Sequence, residues 1–398
     1  MPLQNHSHTA LTYQRIGFIS TSRADAGIYE SLVDVFLNQS SNEPLYFAGG
    51  THLAHRFGHT IEQLPKHDRV RIIPVNHHVE GDAPMDVANS AGRAVDAFSR
   101  AFAQAKPDLL FALGDRTEML AAALAATIHR IPIAHLHGGE STAGAYDDAC
   151  RHAITKLSHL HFAALPQYAA RIIAMQEHPS RVYTVGALSL DRLSRFKPET
   201  PAELSAAIGI NFDRPTVVVA FHVETLAFVS PHEQIHRLLA ALRNIDANLI
   251  FIGTNADVGH LAIDEAVRTF VGRNPGARHI ATLPTHRFWS CLAHARVLVG
   301  NSSAGIIEAS SFRIPVVNVG SRQEGRIQPA NIVNAPLETG AIGAAIRKAL
   351  APEFRDALQS VANPYFTGSA AENVVSVLKT LPSRDNLLRK TESLRPAN

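Results

Sequence analysis

The chain has little cysteine, almost no excess of either charge and no long apolar run. Only Cys150 and Cys291 are cysteines among 398 residues, which excludes the disulfide framework of a small secreted protein. Two isolated thiols are typical of a reducing compartment, so we expect a cytoplasmic protein. No run approaches the roughly 18 apolar residues of a membrane span, and the N-terminus lacks the pattern of a signal peptide. Residues 1–13 are predicted to be a disordered tail.

The balance of charge and apolar residues is that of an ordinary globular protein. Lysine and arginine number 37 and aspartate and glutamate 35, so the formal net charge is +2. A chain without a broad basic field is not expected to bind nucleic acid. Hydrophobic residues make up 46%, enough for a sizeable core, and the length predicts two or three domains.

Short apolar runs alternate with longer amphipathic segments along the chain. Runs typical of buried strands lie at 15–20, 45–49, 70–75, 108–114, 132–137, 160–165, 181–186, 216–221, 248–253, 278–283, 296–301 and 314–320. Helical patterns lie at 27–38, 84–105, 116–129, 146–159, 231–243, 259–272, 285–294, 303–312, 338–350, 353–361 and 370–380. This alternation predicts an α/β protein with parallel sheets covered on both faces.

A proline-containing stretch without periodicity, residues 194–203, interrupts the alternation and is the best candidate for a linker. We therefore predict two doubly wound, Rossmann-like domains, residues 14–195 and 200–368. Open parallel sheets bind ligands at the carboxyl ends of their strands. The functional residues are expected in strand-to-helix loops that face a cleft between the two domains.

Titratable residues crowd one predicted loop, HLHGGESTAGAYDDACRH at 135–152. His135 and His137, two apart on a strand, should point to the same side, and Asp147 and Arg151 should pair at i and i+4 on a helix. A polar loop with helix capping and a metal site are the alternatives. The spacing is not that of a zinc site, so no metal is predicted. Neighbouring carboxylates and imidazoles favour an acid/base centre that includes Glu140.

Two further clusters follow strands of the first domain. Arg23 opens a helix after the first strand, where it could grip an anion or simply be solvated. Asp115 and Arg116 follow the strand at 108–114. Asp115 could face the cleft or cap the next helix.

In the second domain, the stretch GNSSAGIIEAS at 300–310 has the pattern of an anion cradle. Ser302 and Ser303 at a helix start could bind phosphate, and Glu308 one turn later could hold a ribose diol. The alternative is simple capping of the helix by serine.

Polar side chains also follow other strands of the second domain. His222 and Asn255 end two of them, and Arg322 and Arg326 lie in a glycine-containing loop after the last predicted strand. The two arginines could clamp a diphosphate, or could be solvated surface residues.

Several of these stretches together resemble the hydrolysing UDP-N-acetylglucosamine 2-epimerase family. The resemblance is carried, over residues 15–380, by SRADAG, GDRTEMLAAALAA, IPIAHLHGGESTAGAYDDACRHAITKLSHLHF, TVGALSLD and VGNSSAGIIEASSFRIPVVNVGSRQEGR. It implies a GT-B arrangement of the two domains, with a C-terminal helix within 370–398 that crosses back onto the first domain. It also implies that UDP leaves UDP-GlcNAc by elimination, that water adds to the resulting 2-acetamidoglucal, and that ManNAc forms for sialic acid synthesis without a cofactor.

The resemblance assigns roles residue by residue. It places UDP on the second domain, with Asn255 at the uridine, Glu308 at the ribose, and Arg23, His222, Ser302, Ser303, Arg322 and Arg326 at the phosphates. It places Asp115, His137, Glu140 and Asp147 at the sugar, and any of the first three could take the proton at C2. Many relatives have glutamate at position 137 and proline at position 223. Val223 here is expected to loosen the loop at His222.

Alternatives remain open. A close variant would act on UDP-2,4-diacetamido-2,4,6-trideoxyglucose of legionaminic acid synthesis, and a GT-B glycosyltransferase or a non-catalytic UDP-sugar binder would use the same fold. Family resemblance also implies a homodimer or homotetramer.

Overall fold

A computed structural model describes residues 13–39 and 42–390. The first domain is built on a seven-stranded parallel sheet with the order β3-β2-β1-β4-β5-β6-β7. Its strands are β1 (Arg15–Ser20), β2 (Glu43–Gly49), β3 (Arg71–Val75), β4 (Leu109–Leu113), β5 (Ile133–Leu136), β6 (Leu160–Ala163) and β7 (Val182–Thr184). The connecting helices are α1 (Arg23–Gln39), α2 (Pro84–Ala105), α3 (Thr117–Ile128), α4 (Asp147–Leu157) and α5 (Pro166–Ala174).

The second domain is built on a six-stranded parallel sheet with the order β10-β9-β8-β11-β12-β13. Its strands are β8 (Thr216–Ala220), β9 (Asn248–Ile252), β10 (Ala277–Ile280), β11 (Val297–Gly300), β12 (Val316–Val319) and β13 (Ile332–Ala335). Its helices are α6 (Pro201–Ile208), α7 (Pro231–Leu242), α8 (His260–Gly272), α9 (Thr285–His294), α10 (Ser303–Ile307), α11 (Thr339–Leu350) and α12 (Pro352–Ala357). The predicted α/β class with two Rossmann-like domains is confirmed.

The strands form because they are continuous apolar runs that both faces of each sheet can bury. All five residues of β4 and all five of β8 are buried, as expected for parallel strands covered by helices on both sides. Strand order reverses between β1 and β4 in the first sheet and between β8 and β11 in the second. Loops diverge at such switch points and leave a crevice at the carboxyl ends of the strands.

The chain crosses back to the first domain after the second sheet. Helix α13 (Ala370–Leu378) packs against α1, and the carboxylate of Asp191 accepts hydrogen bonds from the backbone N–H groups of Ala370 (2.9 Å) and Ala371 (2.7 Å). A second short helix, α14 (Arg384–Leu387), follows Pro382. The single C-terminal helix predicted within 370–398 is therefore two helices, because proline cannot continue the first. Residues 391–398 lie outside the described residues.

Two further expectations change at the level of local structure. Tyr13 was assigned to the loose tail, yet it is 1% exposed and its hydroxyl donates to the carbonyl of Pro382 (2.8 Å). Residues 1–12 of that tail lie outside the described residues. The predicted linker ends in α6, because Thr200 and Glu203 form a reciprocal capping box at its start. In the described part of the chain no helix is long and apolar enough to cross a membrane.

Candidate functional site

A cavity of about 340 Å³ lies between the two domains at the carboxyl ends of their strands. That volume is within the range of small-molecule sites. With one exception, Asp147, every predicted site residue lines it: Arg23, Asp115, Arg116, His137, Glu140, Arg151, His222, Asn255, Ser302, Ser303, Glu308, Arg322 and Arg326. The sequence clusters that are far apart along the chain therefore come together at one cleft.

A buried row of three side chains, His137, Glu140 and Arg326, connects the two domains at this cleft. His137 Nδ1 lies 2.6 Å from Glu140 Oε1, and Glu140 Oε2 lies 2.9 Å from Arg326 Nη2. Burial opposes ionisation of Glu140, but Arg326 and His137 outweigh it and lower the pKa of this carboxyl to about 2. Glu140 is thus an anion that orients the His137 ring through Nδ1, and among the described residues the buried Nε2 of His137 has no hydrogen-bond partner.

Asp115 and Arg151 form a second ion pair in direct contact. Arg151 is 1% exposed, and its guanidinium also donates to Thr142 Oγ1 (2.7 Å) and Asp148 Oδ1 (3.2 Å). Burial opposes ionisation of Asp115, yet Arg151 and then Arg326 hold the pKa of that carboxyl below its usual range. Asp115 is therefore an anion at the cleft, and it is not the N-cap of α3, which is Arg116.

Asp147 does not pair with Arg151, so the predicted i to i+4 contact is wrong. Arg151 is turned toward Asp115 in the turn after β4 and toward Asp148 at i−3, a spacing that suits a helix equally well. Asp147 instead faces Arg322 of the second domain, with 3.8 Å between Oδ2 and Nη2. It lies in an adjoining enclosed cavity of about 20 Å³, which shares Arg116 with the main cleft.

The protonation state of Asp147 differs from that of the other carboxylates. Burial, and then the nearby charges of Asp115 and Asp257, raise the pKa of Asp147 to about 7. A carboxyl group with a pKa near neutrality can both accept and donate a proton under ordinary conditions. Of the acid/base candidates, Asp147 is therefore the carboxyl group that changes protonation near neutral pH.

His135 has no part in the cleft, so the expected same-side pair with His137 is wrong. Strand β5 ends at Leu136, and His137 has a left-handed backbone with φ of +60°. His135 Nε2 lies 2.8 Å from the Gly114 carbonyl and Nδ1 lies 3.1 Å from Thr155 Oγ1. Burial lowers the pKa of His135 to about 3. It is a neutral structural residue beneath the loop.

His222 is held rigidly at the end of β8. Asn301 accepts from its backbone N–H through Oδ1 (2.7 Å) and donates to its carbonyl through Nδ2 (2.9 Å). These two bonds hold the backbone of His222, next to the position where valine replaces proline. Nδ1 of His222 accepts from the Asn255 N–H (3.1 Å), which places the ring proton on Nε2.

The charge of His222 follows from its surroundings. Burial, together with the positive charges of Arg322 and Arg116, holds the pKa of His222 well below its usual range. The ring is neutral and offers an N–H donor, so it can bind an oxygen of an anion without itself carrying charge.

Glu308 and Arg23 line the opposite end of the cleft. Trp289 Nε1 donates to Glu308, and Arg23 of the first domain donates through Nε to Thr282 Oγ1 of the second. Burial raises the pKa of Glu308 to about 7 and lowers the pKa of Arg23 to about 10. A partly buried carboxyl group beside a cation suits a polar ligand group with hydroxyl donors.

Ser302 caps a helix, which was the alternative to phosphate binding, and it also lines the cleft. Ser302 is the N-cap of α10 and accepts from the Ala304 N–H (3.4 Å), while Ser302 and Ser303 both line the cleft. Glu224 fixes the loop at 320–327 that carries Arg322 and Arg326, called the arginine loop below. The Glu224 carboxylate accepts from Ser321 N–H (2.8 Å), Ser321 Oγ (3.2 Å) and Arg322 N–H (3.0 Å).

Glu224, Asn301 and Thr282 were missed by sequence reasoning. Asn301 lies inside the GNSSAG stretch and could have been included, since it follows a strand as the serines do. Glu224 and Thr282 carry no local pattern, because their partners are distant in sequence.

Comparisons with known proteins identify the family of the chain. The sequence pattern of the family described as UDP-N-acetylglucosamine 2-epimerase matches residues 37–379. The chain belongs to this family. It is 33% identical over 95% of its length to the UDP-N,N'-diacetylbacillosamine 2-epimerase (hydrolyzing) of Legionella pneumophila, of which the alignment covers 98%. It is 31% identical to the polysialic acid biosynthesis protein P7 of Escherichia coli, over 92% of this chain and 94% of that one.

The fold has solved counterparts among 2-epimerases. The UDP-GlcNAc 2-epimerase of Neisseria meningitidis bound to UDP-GlcNAc superimposes with a TM-score of 0.75 at 16% identity, over 91% of this chain and 99% of that one. At this identity the likeness concerns the fold, and it agrees with the predicted GT-B arrangement of two Rossmann-like domains.

Proposed function

We propose that this 2-epimerase family member is a hydrolysing enzyme that converts UDP-GlcNAc to ManNAc and UDP. The observation that carries the proposal is the division of the cleft. Carboxylates and an imidazole from the first domain face arginines, hydroxyls and a neutral histidine from the second. One wall can move protons at a sugar while the other holds a diphosphate.

The chemistry balances in two steps. A base removes the proton at C2, the C1–O bond breaks with its electron pair leaving on the diphosphate, and a C1=C2 double bond forms. Water then adds its hydroxyl to C1 and a proton is delivered to C2 from the opposite face. Two coupled groups with different pKa values can serve both steps.

The residues of this chain fit those needs. The candidates for the base at C2 are Asp115, Glu140 and His137, and the contacts favour His137, because Glu140 is engaged by Arg326 and Asp115 by Arg151. We propose Asp147 as the second proton carrier because of its pKa. Positive groups fixed in the cleft stabilise charge on the departing diphosphate.

UDP is proposed to lie against the second domain. Arg322, Arg326 and the ring Nε2–H of His222 would meet the phosphates, with Arg23 closing from the first domain. Asn255 would meet the uridine part and Glu308 the ribose hydroxyls. This placement gives the Glu308 carboxyl group a ligand with hydroxyl donors.

A second substrate is favoured by the relatives. The proteins of Legionella pneumophila and Campylobacter jejuni, 33% and 32% identical, are named as N,N'-diacetylbacillosamine 2-epimerases. A 4-acetamido-6-deoxy sugar would undergo the same elimination at C2. Glycosyl transfer is less well supported, because it would leave the proton carriers of the first domain without a task.

The test is product identification by NMR. Purified protein is incubated with UDP-GlcNAc or UDP-N,N'-diacetylbacillosamine, with and without EDTA. Release of UDP with ManNAc, unchanged by EDTA, supports the proposal, and release of the 2,4-diacetamido-trideoxymannose product supports the second substrate. No UDP release from either sugar without an acceptor would refute hydrolysis.

A further inference from the structure

We propose that Tyr168 and Tyr365 are positioning residues that hold Arg326 of the second domain against Glu140 of the first. The kinetic part of this proposal rests on the function proposed above. The two tyrosines touch none of the atoms expected to react. They act through the backbone of Ile327, the residue that follows Arg326.

The hydroxyl groups of the two tyrosines bracket Ile327. Tyr365 donates to the Ile327 carbonyl (2.8 Å), Tyr168 accepts from the Ile327 N–H (2.9 Å), and the two hydroxyl oxygens are 2.7 Å apart. A hydroxyl carries one proton. Since the proton of Tyr365 goes to the carbonyl, Tyr168 must donate to Tyr365. Every donor and acceptor of the triangle is satisfied, and the backbone on both sides of Ile327 is fixed.

The three residues of this triangle come from different parts of the fold. Tyr168 belongs to α5 of the first domain, Ile327 to the arginine loop of the second, and Tyr365 to the segment that crosses back before α13. Both tyrosine side chains are fully buried. Breaking one hydroxyl contact would therefore leave a buried polar group without a partner and let the loop shift.

Helix α5 also contacts the turn before Glu140, the carboxylate that pairs with Arg326. Arg171 donates from Nη1 to the Gly139 carbonyl (2.8 Å). Gly139 has φ of +75°, and a Cβ there would lie 2.3 Å from the Tyr168 carbonyl, so the turn rests directly on the helix. One helix thus sets the position of Glu140 and, through Ile327, the position of Arg326.

The distance between these charges matters for the site. Arg326 bonds Glu140 Oε2 (2.9 Å) through Nη2 and the Ser141 carbonyl (3.1 Å) through Nε. Glu140 in turn orients His137. A small misplacement of a catalytic group can reduce turnover strongly even when the cause is remote.

The kinetic test uses Tyr168→Phe and Tyr365→Phe. We expect each to lower kcat about tenfold with KM changed less than about threefold, since one hydrogen bond of the network is lost. Tyr183→Phe is the matched control, because its hydroxyl donates to the Ser180 carbonyl (2.7 Å) away from the cleft. Wild-type kcat in both Tyr168→Phe and Tyr365→Phe would overturn the proposal.

The second test needs no turnover. Glutamate carrying carbon-13 in its carboxyl group is incorporated, the Glu140 signal is identified by its loss in Glu140→Gln, and its pH titration is followed. The groups that face Glu140 are His137, Arg326, Arg151, Asp115, Tyr168 and Tyr365. If Arg326 moves away, the pKa of Glu140 must rise, so the signal should titrate at higher pH in both tyrosine variants than in wild type and Tyr183→Phe.

The two readouts separate the possible failures. A lower kcat with an unchanged Glu140 titration would assign the tyrosines to general stability and overturn the positioning role. A wild-type protein inactive on both UDP-sugars would refute the proposed function, while the titration would still decide whether the tyrosines place Arg326. Thermal unfolding of each variant verifies that both measurements are made on folded protein.

Discussion

Asp147 of the first domain and Arg322 of the second face each other beside the cleft, with 3.8 Å between carboxylate and guanidinium. The backbone of Arg322 is fixed by Glu224, and Asp147 opens helix α4. Asp147 changes protonation near neutral pH. Its charge therefore acts on Arg322 in the loop that is proposed to bind the diphosphate.

Replacing Asp147 by asparagine should remove a proton carrier without removing its bulk. We expect kcat to fall at least about a hundredfold, the low end for lost general acid/base catalysis, with UDP affinity changed only a few-fold. The inflection of kcat near pH 7 should disappear with it, because the pKa of Asp147 is about 7. Stopped assays from pH 5 to 9 measure both effects, and a retained inflection would assign it to another group.

The same substitution makes a prediction about stability. The pKa of Asp147 is raised in the folded protein, so its stability contribution is complete below the unfolded pKa and is lost as pH rises through about 7. An asparagine cannot ionise. The difference in unfolding free energy between Asp147→Asn and wild type should therefore shift in favour of the variant between pH 4 and pH 8. Urea unfolding at both pH values measures this, and a shift in favour of wild type would contradict it.

Asp115→Asn should abolish turnover while leaving UDP affinity within a few-fold. The reason is that Asp115 is an anion in the cleft that is held by Arg151 and is not itself proposed to contact UDP. Asp148→Asn is the matched control, since Asp148 also pairs with Arg151 (3.2 Å) but does not line the cleft. Near-normal turnover of Asp115→Asn would remove this residue from the chemistry.

Glu308→Gln should weaken UDP binding more at high pH than at low pH. The pKa of Glu308 is raised to about 7, so only above that pH does a carboxylate accept from the ribose hydroxyls. A charged acceptor contributes roughly 1.5–3 kcal/mol to such a bond, so the loss should approach tenfold or more at pH 8. Calorimetric titration of UDP at pH 6 and pH 8 tests this, and equal losses at both would place the ribose elsewhere.

Glu224→Gln should destabilise the arginine loop. A carboxamide has no negative charge, so the N–H groups of Ser321 and Arg322 lose a charged acceptor, at a cost of about 1–3 kcal/mol. UDP affinity should fall in parallel. Glu233→Gln, which removes an exposed carboxylate from α7, should be nearly neutral in denaturant unfolding.

The sequence predicted the sheets better than it predicted the contacts between them. Buried runs such as 109–113 and 216–220 could be recognised because parallel strands are apolar on both faces. Residues 332–335 are too short a run to be seen as a strand. Helix α5 was missed although Pro166 is a common first residue of a helix.

The placement of the cleft residues could be predicted because parallel strands end at one edge. The hydrogen-bond and ion-pair partners of these residues could not be predicted. Arg151 had a carboxylate at i−4 in the sequence, yet it pairs with Asp115, 36 positions earlier, because strand β4 brings that side chain closer. Glu224 stabilises a loop 97 residues later, which no local pattern records.

The most direct test of the account is the reaction run in D₂O and followed by NMR. Elimination removes the C2 proton and hydration returns a solvent deuteron, so the account predicts UDP together with ManNAc that carries deuterium at C2 from the first turnover. UDP released with a free sugar that keeps its original hydrogen at C2 would mean hydrolysis without elimination, and would contradict the central claim.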